Sequence, residues 1–182
     1  MPMSDELIDR IGQTIRTIPD FPIEGIMFRD ITPVLSEPGL LSLISDRFAE
    51  EIRSNGWQPD AVIGPEARGF IFAPMLAERI GASFVPVRKP GKLPFETRSV
   101  EYELEYGSNT LEMHSDSLSQ GDKVVIIDDL IATGGTISAC VELCQGFGAE
   151  VLGALFLIEL TGLGAREAIS PIPVHALMEY PA

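Results

Sequence analysis

Two adjacent carboxylates, Asp128 and Asp129, follow an unbroken β-branched run from Val124 to Ile127, and a low-bulk segment, Ala132-Thr133-Gly134-Gly135-Thr136, comes soon after them. Each residue type has a definite chemical use. An ionised aspartate is purely a hydrogen-bond acceptor, which suits sugar hydroxyls. Small residues let backbone amides approach an anion closely, and threonine hydroxyls add further hydrogen bonds. A ligand with hydroxyls at one end and a phosphate at the other would satisfy both halves, so the segment reads as a cradle for a phosphorylated sugar.

These groups need elements to hold them. Val124 to Ile127 is apolar on both faces, as a parallel strand covered by helices on either side would be, and the strand is expected to stop where the acids begin. Ligands collect beyond the carboxyl ends of such strands. Ile137, Cys140, Val141 and Cys144 recur at helical spacing, which sets the Gly-Gly at a helix N-terminus, where orphan amides and partial positive charge favour phosphate. The plain alternative is an acidic turn followed by a glycine-softened helix start. Neither GxxxxGK(S/T) nor GxGxxG occurs, which argues against a P-loop nucleotidase and a dinucleotide domain.

The rest of the chain alternates strand and helix. Ala61 to Gly64, Phe84 to Arg88, Val151 to Glu159 and Val174 to Met178 read as strands. Phe70 to Ile80 and Ala165 to Ile169 read as helices, and the order predicts an α/β fold with a central parallel sheet. Leu7, Ile8, Ile11 and Ile15 trace an N-terminal helix after a possible Ser4 cap. Leu41, Ile44, Phe48 and Ile52 trace a second one, with Ser36 and Pro38 at cap and early-turn positions. Pro19 to Pro38, rich in proline and glycine, is expected to be an irregular excursion forming a hood. Tyr102, Leu104 and Tyr106 alternate with Glu101, Glu103 and Glu105, and Gly107-Ser108-Asn109 permits reversal into Thr110 to Met113, so a hairpin is expected there. Its carboxylates can be solvated edge protection or part of a lid over a reacting sugar.

A chain of 182 residues fits a single domain, 1–182, with the hood at about 1–36 and the lid at about 94–113. Its net charge of −14 opposes nonspecific binding to nucleic acid or anionic membranes. An anionic substrate therefore needs a local exception, and Arg68, Arg79, Arg88, Lys89, Lys92 and Arg98 against only Glu78 and Glu96 can supply one. The two cysteines, Cys140 and Cys144, lie in an apolar helical stripe and read as reduced core residues rather than a disulfide or zinc site. No signal-peptide core or membrane-length apolar run is found, which makes the cytoplasm the default location.

The segment Val124–Thr136 resembles the phosphoribosyl diphosphate signature of the type I phosphoribosyltransferase family. Phe21-Pro-Ile-Glu-Gly-Ile-Met-Phe-Arg-Asp-Ile-Thr-Pro33, Gly64-Pro-Glu-Ala-Arg-Gly-Phe70, Val85-Pro-Val-Arg-Lys-Pro-Gly-Lys-Leu-Pro94 and Tyr102-Glu-Leu-Glu-Tyr-Gly107 are similar, in order, to blocks of the family's adenine-using branch.

The resemblance implies the type I fold: a central parallel five-stranded core flanked by helices, a small hood and a flexible β-hairpin lid. It further implies a purine-salvage reaction in which adenine attacks C1 of 5-phosphoribosyl 1-diphosphate, releasing diphosphate and giving AMP, with magnesium carried mainly by the substrate rather than by protein ligands. On the matching positions, Ala132, Thr133, Gly134, Gly135 and Thr136 bind the 5′-phosphate and Asp128 and Asp129 face the ribose hydroxyls. Glu66, Ala67 and Arg68, with a cis peptide between the first two, and Arg88, Lys89 and Lys92 meet the diphosphate. Met27, Phe28 and Arg29 meet adenine, though Phe28 alone could be plain core. Glu105 matches a lid glutamate that assists proton transfer. Phe95 departs from the usual small or polar residue after Lys-Leu-Pro, which bears on lid packing. A homodimer is implied, with part of the basic segment near a neighbour's site. A related transferase using 6-oxopurines and a non-catalytic sensor of the sugar diphosphate are the competing readings; the first shares the ribose-phosphate loop, and the second lacks here the added domain or basic surface a regulator needs.

Overall fold

Alternation along the buried strands divides the apolar residues between two faces of one sheet. In the computed structural model, which describes residues 3–103 and 108–182, the order is α1 (Met3–Thr14), β1 (Arg16–Pro19), β2 (Met27–Asp30), α2 (Thr32–Ser36), α3 (Leu40–Ser54), β3 (Ala61–Pro65), α4 (Gly69–Ile80), β4 (Ser83–Val87), β5 (Thr97–Glu103), β6 (Ser108–His114), β7 (Lys123–Ile131), α5 (Gly135–Gly146), β8 (Glu150–Thr161), α6 (Ala165–Ala168) and β9 (Val174–Pro181). A parallel sheet has the order β4-β3-β7-β8-β9. Val62, Val125, Ile127, Leu155 and Leu157 point to one face, packing with residues of α1 to α4 such as Ile11, Val34, Phe48 and Leu76. Ala61, Ile63, Val124, Ile126, Ala154 and Phe156 point to the other, against Ile137, Cys140, Leu143 and Cys144 of α5. Period-two alternation thus builds two cores from strands that read as uniformly apolar.

The strand order reverses between β3 and β7. From β3 the chain moves outward to β4, and after the hairpin it returns to the other side of β3 and proceeds through β8 to β9. The carboxyl ends of β3 and β7 therefore border the crevice in which open parallel sheets bind ligands.

Several expectations are revised. β7 does not end before the acids: it continues to Ile131, with Asp128 paired to Phe156 and Leu130 to Ile158 of β8. Its pairing with β3 stops at Ile126, so the acids sit on a stretch supported from one side only. The excursion after Pro19 is more regular than its composition suggests, since β2 pairs antiparallel with β1 and α2 follows. Gly39, in the left-handed region at φ 83°, precedes α3 in place of Ser36; the Ser36 hydroxyl is spent on the carbonyl of Thr32, 3.0 Å away.

The hairpin is longer than the alternating residues indicate, with Thr97 opposite His114 and Tyr102 opposite Asn109. Its root is fixed to the domain. Leu111 and Met113 are buried, Val100 and Tyr102 pack against the α5 core, and Arg98 donates to the carbonyl of Gly146 at 2.6 Å while its guanidinium lies 4.3 Å from the Phe147 ring centre. Arg98 thus closes the C-terminal end of α5, where a cation is favoured. Arg79 likewise joins α4 to α3 through Asp46, 2.8 Å away. Both cations serve the scaffold, which reduces the local positive field to Arg68, Arg88, Lys89 and Lys92.

Candidate active site

At the reversal point, a cleft of about 290 Å³ is lined by Glu66, Ala67 and Arg68 from the turn after β3 and by residues 128–137 from the end of β7 to the start of α5. Asp128, Asp129, Ala132, Thr133, Gly134, Gly135 and Thr136 are therefore gathered with half of the expected diphosphate group.

Gly134 is left-handed, with φ 88°, directly before α5, a conformation costly for any residue with a Cβ. The turn so made presents the first amides of a twelve-residue helix to the cleft. Tyr102 of β5 lies over this helix start, its hydroxyl 3.5 Å from that of Thr136. The Glu66–Ala67 peptide is cis, as the motif led one to expect.

The acids are not equivalent. Asp129 is buried, and Arg68 Nε lies 2.9 Å from its Oδ2. The contact is an ion pair without hydrogen-bond alignment, so Oδ2 remains an acceptor with no donor among the described residues. Asp128 accepts from the backbone N–H of Asp129 through Oδ1 at 2.9 Å. Burial, reinforced by the adjacent Asp129 charge, pushes the Asp128 carboxyl up to about 8. Burial also raises Asp129, against the pull of Arg68. Such a pair holds its charge poorly until partners arrive. Among the described residues no group of three or more Asp, Glu, His or Cys converges as a metal cage; the oxygen donors of Asp128 and Asp129 suit a hard cation that brings most of its own ligands.

Arg88, Lys89 and Lys92 do not line this cleft, though Glu66 ties them to it. Its carboxylate accepts from Arg88 Nε and from the backbone N–H of Lys89, each at 3.0 Å. Burial opposes the charged form of Glu66, but these two donors and the nearby cations outweigh it and hold the carboxyl below its usual range. Arg88 also donates to the carbonyl of Lys92 at 3.1 Å, and Gly91 N–H to Glu112 of β6 at 3.1 Å. The basic segment is thereby strung between the β3 turn and the hairpin. Lys89 and Lys92 are exposed.

The hood residues lie elsewhere. Phe28, half-buried on β2, meets Phe21 edge-on at 5.0 Å, and Met27 is exposed. The Arg29 side chain is committed to structure: it donates to the Thr17 hydroxyl at 2.5 Å and stacks 4.2 Å over Tyr180 at the end of β9. Glu105 lies outside the described residues.

The phosphoribosyl transferase domain pattern matches residues 35–169. The chain is 50% identical over 173 residues to adenine phosphoribosyltransferase of Francisella tularensis subsp. novicida, covering 95% of this chain and 99% of that one. The chain belongs to the adenine phosphoribosyltransferases. It superposes on the enzyme of that name from Thermoanaerobacter pseudethanolicus with TM-score 0.91 at 47% identity, covering 95% of this chain and 99% of that one. The same TM-score, at 38% identity and the same coverage, relates it to the Saccharomyces cerevisiae adenine phosphoribosyltransferase complexed with an imino-altritol bisphosphate and adenine.

Some residues shape the site without chemistry of their own and leave no functional signal in the sequence. Gly69, first in α4, is one: a Cβ there would lie 2.8 Å from Pro65 Cδ, 3.0 Å from the carbonyl of Ile127 and 3.3 Å from Asp128 Oδ1. The glycine lets α4 press against the acid pair. Tyr102 was visible in the hairpin's alternating pattern and in the block Tyr102–Gly107, and Glu112 only as part of the expected returning strand.

Proposed function

We infer that the protein transfers the phosphoribosyl group of 5-phosphoribosyl 1-diphosphate to adenine, giving AMP and diphosphate in purine salvage. The observation carrying this reading is that the helix-start loop, the acid pair and Arg68 share one cleft at the sheet's reversal point. The adenine-bound relative supports the choice of base.

The 5′-phosphate is assigned to the amides and hydroxyls of Ala132–Thr136, at the positive end of α5. The ribose hydroxyls donate to Asp128 and Asp129, which become fully ionised as those partners replace the missing donors. Arg68, with Arg88 held beside Glu66, takes the diphosphate. As the C1–O bond lengthens, positive charge grows on the sugar and negative charge on the leaving group; the acids stabilise the first and the cations the second. Magnesium, carried mainly by the sugar diphosphate, would supply electrostatic stabilisation of the leaving group's charge when bound. Adenine is assigned to the hood, against the face of Phe28 and the backbone of Met27 and Arg29, since the Arg29 side chain is otherwise engaged. Glu105 is assigned the proton transfer to or from the base, and the hairpin the exclusion of water. A homodimer is part of the proposal: Lys89 and Lys92, exposed and away from this chain's cleft lining, are assigned to a neighbouring copy's site.

The test is a base competition. Purified protein with magnesium and the sugar diphosphate is offered adenine, hypoxanthine, guanine and xanthine at equal concentrations, and AMP is expected to dominate. Preference for a 6-oxopurine rejects the base assignment, and binding without turnover on any base rejects catalysis.

A further inference from the structure

An ion pair behind the phosphate loop has no part in the chemistry above. Glu159, near the end of β8, is paired in register with Ile131, the residue that leads into the loop, and its side chain is buried at 7% exposure. Arg166 of α6 closes over it as a fork, Nε to Oε1 at 2.9 Å and Nη2 to Oε2 at 2.5 Å, while Nη1 donates to the carbonyl of Val174 at 2.9 Å. One guanidinium thus pins β8, α6 and the start of β9 together.

α6 depends on that fork. Four residues are too few for a self-supporting helix, and this one follows a left-handed Gly164. Besides the ion pair, buried Ala165 and neighbouring Ile169 anchor it in the core. In turn α6 backs the phosphate loop: a Cβ on Gly134 would stand 3.1 Å from the carbonyl of Ala165 and 3.2 Å from Ala168 Cβ. Gly134 is therefore seated directly on α6. An outward drift of α6 would remove the surface that fixes the direction of the loop's amides.

We propose that Glu159 and Arg166 are positioning residues for the 5′-phosphate end of the substrate, acting through α6 and Gly134; the proposal rests on the assignment of the loop to that phosphate. An ion pair serving general stability would weaken every ligand alike. This geometry instead predicts a loss confined to one end of the sugar diphosphate.

Removing Arg166 alone would strand a buried carboxylate, so the informative variants are the pair Glu159→Gln/Arg166→Met and the single Arg166→Lys, which keeps the charge but not the fork. Calorimetric titration with ribose 5-phosphate and, separately, with magnesium diphosphate reads the two ends of the site. In the double variant ribose 5-phosphate affinity is expected to fall about tenfold or more, the scale of a small misplacement of a binding group, with diphosphate affinity held within about twofold. KM for the sugar diphosphate should rise with much less change in kcat, and Arg166→Lys should likewise lower ribose 5-phosphate affinity and raise that KM. Should the double variant fail to fold, Arg166→Lys carries the same comparison. Unchanged ribose 5-phosphate binding, or equal loss of both ligands, overturns the proposal. Failure of the wild type to bind ribose 5-phosphate instead overturns the loop assignment.

Discussion

At the residue scale, Asp128 and Asp129 trade stability against binding. Burial raises the Asp128 carboxyl to about 8, whereas in the unfolded chain it titrates near the ordinary aspartate value of about 3.9. The native state therefore holds a proton that the unfolded state releases, and the associated stability is fully present below about 3.9 and is lost as pH rises through about 8. Asp128→Asn removes this loss. Without ligand, its melting temperature should fall less steeply than the wild type's between about pH 5 and about pH 8, even as activity collapses; parallel melting curves against pH would show that Asp128 is solvated and ordinary. Asp129→Asn tests the other acid. An amide must orient against the hydroxyls and loses the ionic contact with Arg68, so KM for the sugar diphosphate should rise roughly tenfold to a hundredfold, the worth of about 1.5–3 kcal/mol for hydrogen bonds to a charged group. Unchanged steady-state constants would move the ribose away from Asp129.

At the scale of elements, the site is a set of element ends, and those ends were only partly legible in the sequence. The β-branched run and the helical spacing of Ile137, Cys140, Val141 and Cys144 located β7 and α5, because burial on both faces leaves an unmistakable composition. The extension of β7 through its own acids was not legible: carboxylates break an apolar pattern, while the ladder to β8 that carries the strand onward is a tertiary fact. The roles of Arg79 and Arg98 were hidden for a related reason, since a cation's sequence position does not reveal whether a carbonyl or an aromatic ring waits beside it. The basic segment was recognised as a group, yet its tether at Glu66 depends on the turn after β3. The hairpin root gives a direct test. Arg98→Ala deletes the bond to Gly146 and the contact with Phe147, and should cost about 1 kcal/mol, or roughly 2–4 °C in melting temperature for a chain this size. Calorimetry showing no shift would mean that the apolar contacts of Leu111 and Met113 hold the hairpin unaided. The buried cysteines offer a control on α5: burial pushes Cys144 up to about 12, so thiol reagents should label neither cysteine until the protein unfolds.

At the scale of the whole molecule, a chain of net charge −14 must admit a substrate that is itself strongly anionic. The long-range field repels that substrate, whereas Arg68, Arg88 and the positive end of α5 attract it at short range. The two influences respond oppositely to salt, which screens exposed charges over a Debye length of about 10 Å at 0.1 M ionic strength. If repulsion by the distant acids governs entry, added salt should lower KM for the sugar diphosphate. If the cations tethered through Glu66 and the helix start govern it, salt should raise KM, because the attraction they provide is what becomes screened. The geometry favours the second outcome, since the cations adjoin or line the cleft while most carboxylates lie on outer surfaces. Raising added salt from about 0.02 M to about 0.3 M at constant free magnesium should therefore increase KM for the sugar diphosphate several-fold and leave KM for neutral adenine nearly unchanged. Adenine serves as the internal control: an equal rise for both substrates would indicate a general effect of salt on the fold, and a fall for the sugar diphosphate alone would show that the global charge, rather than the local cluster, sets access to the site.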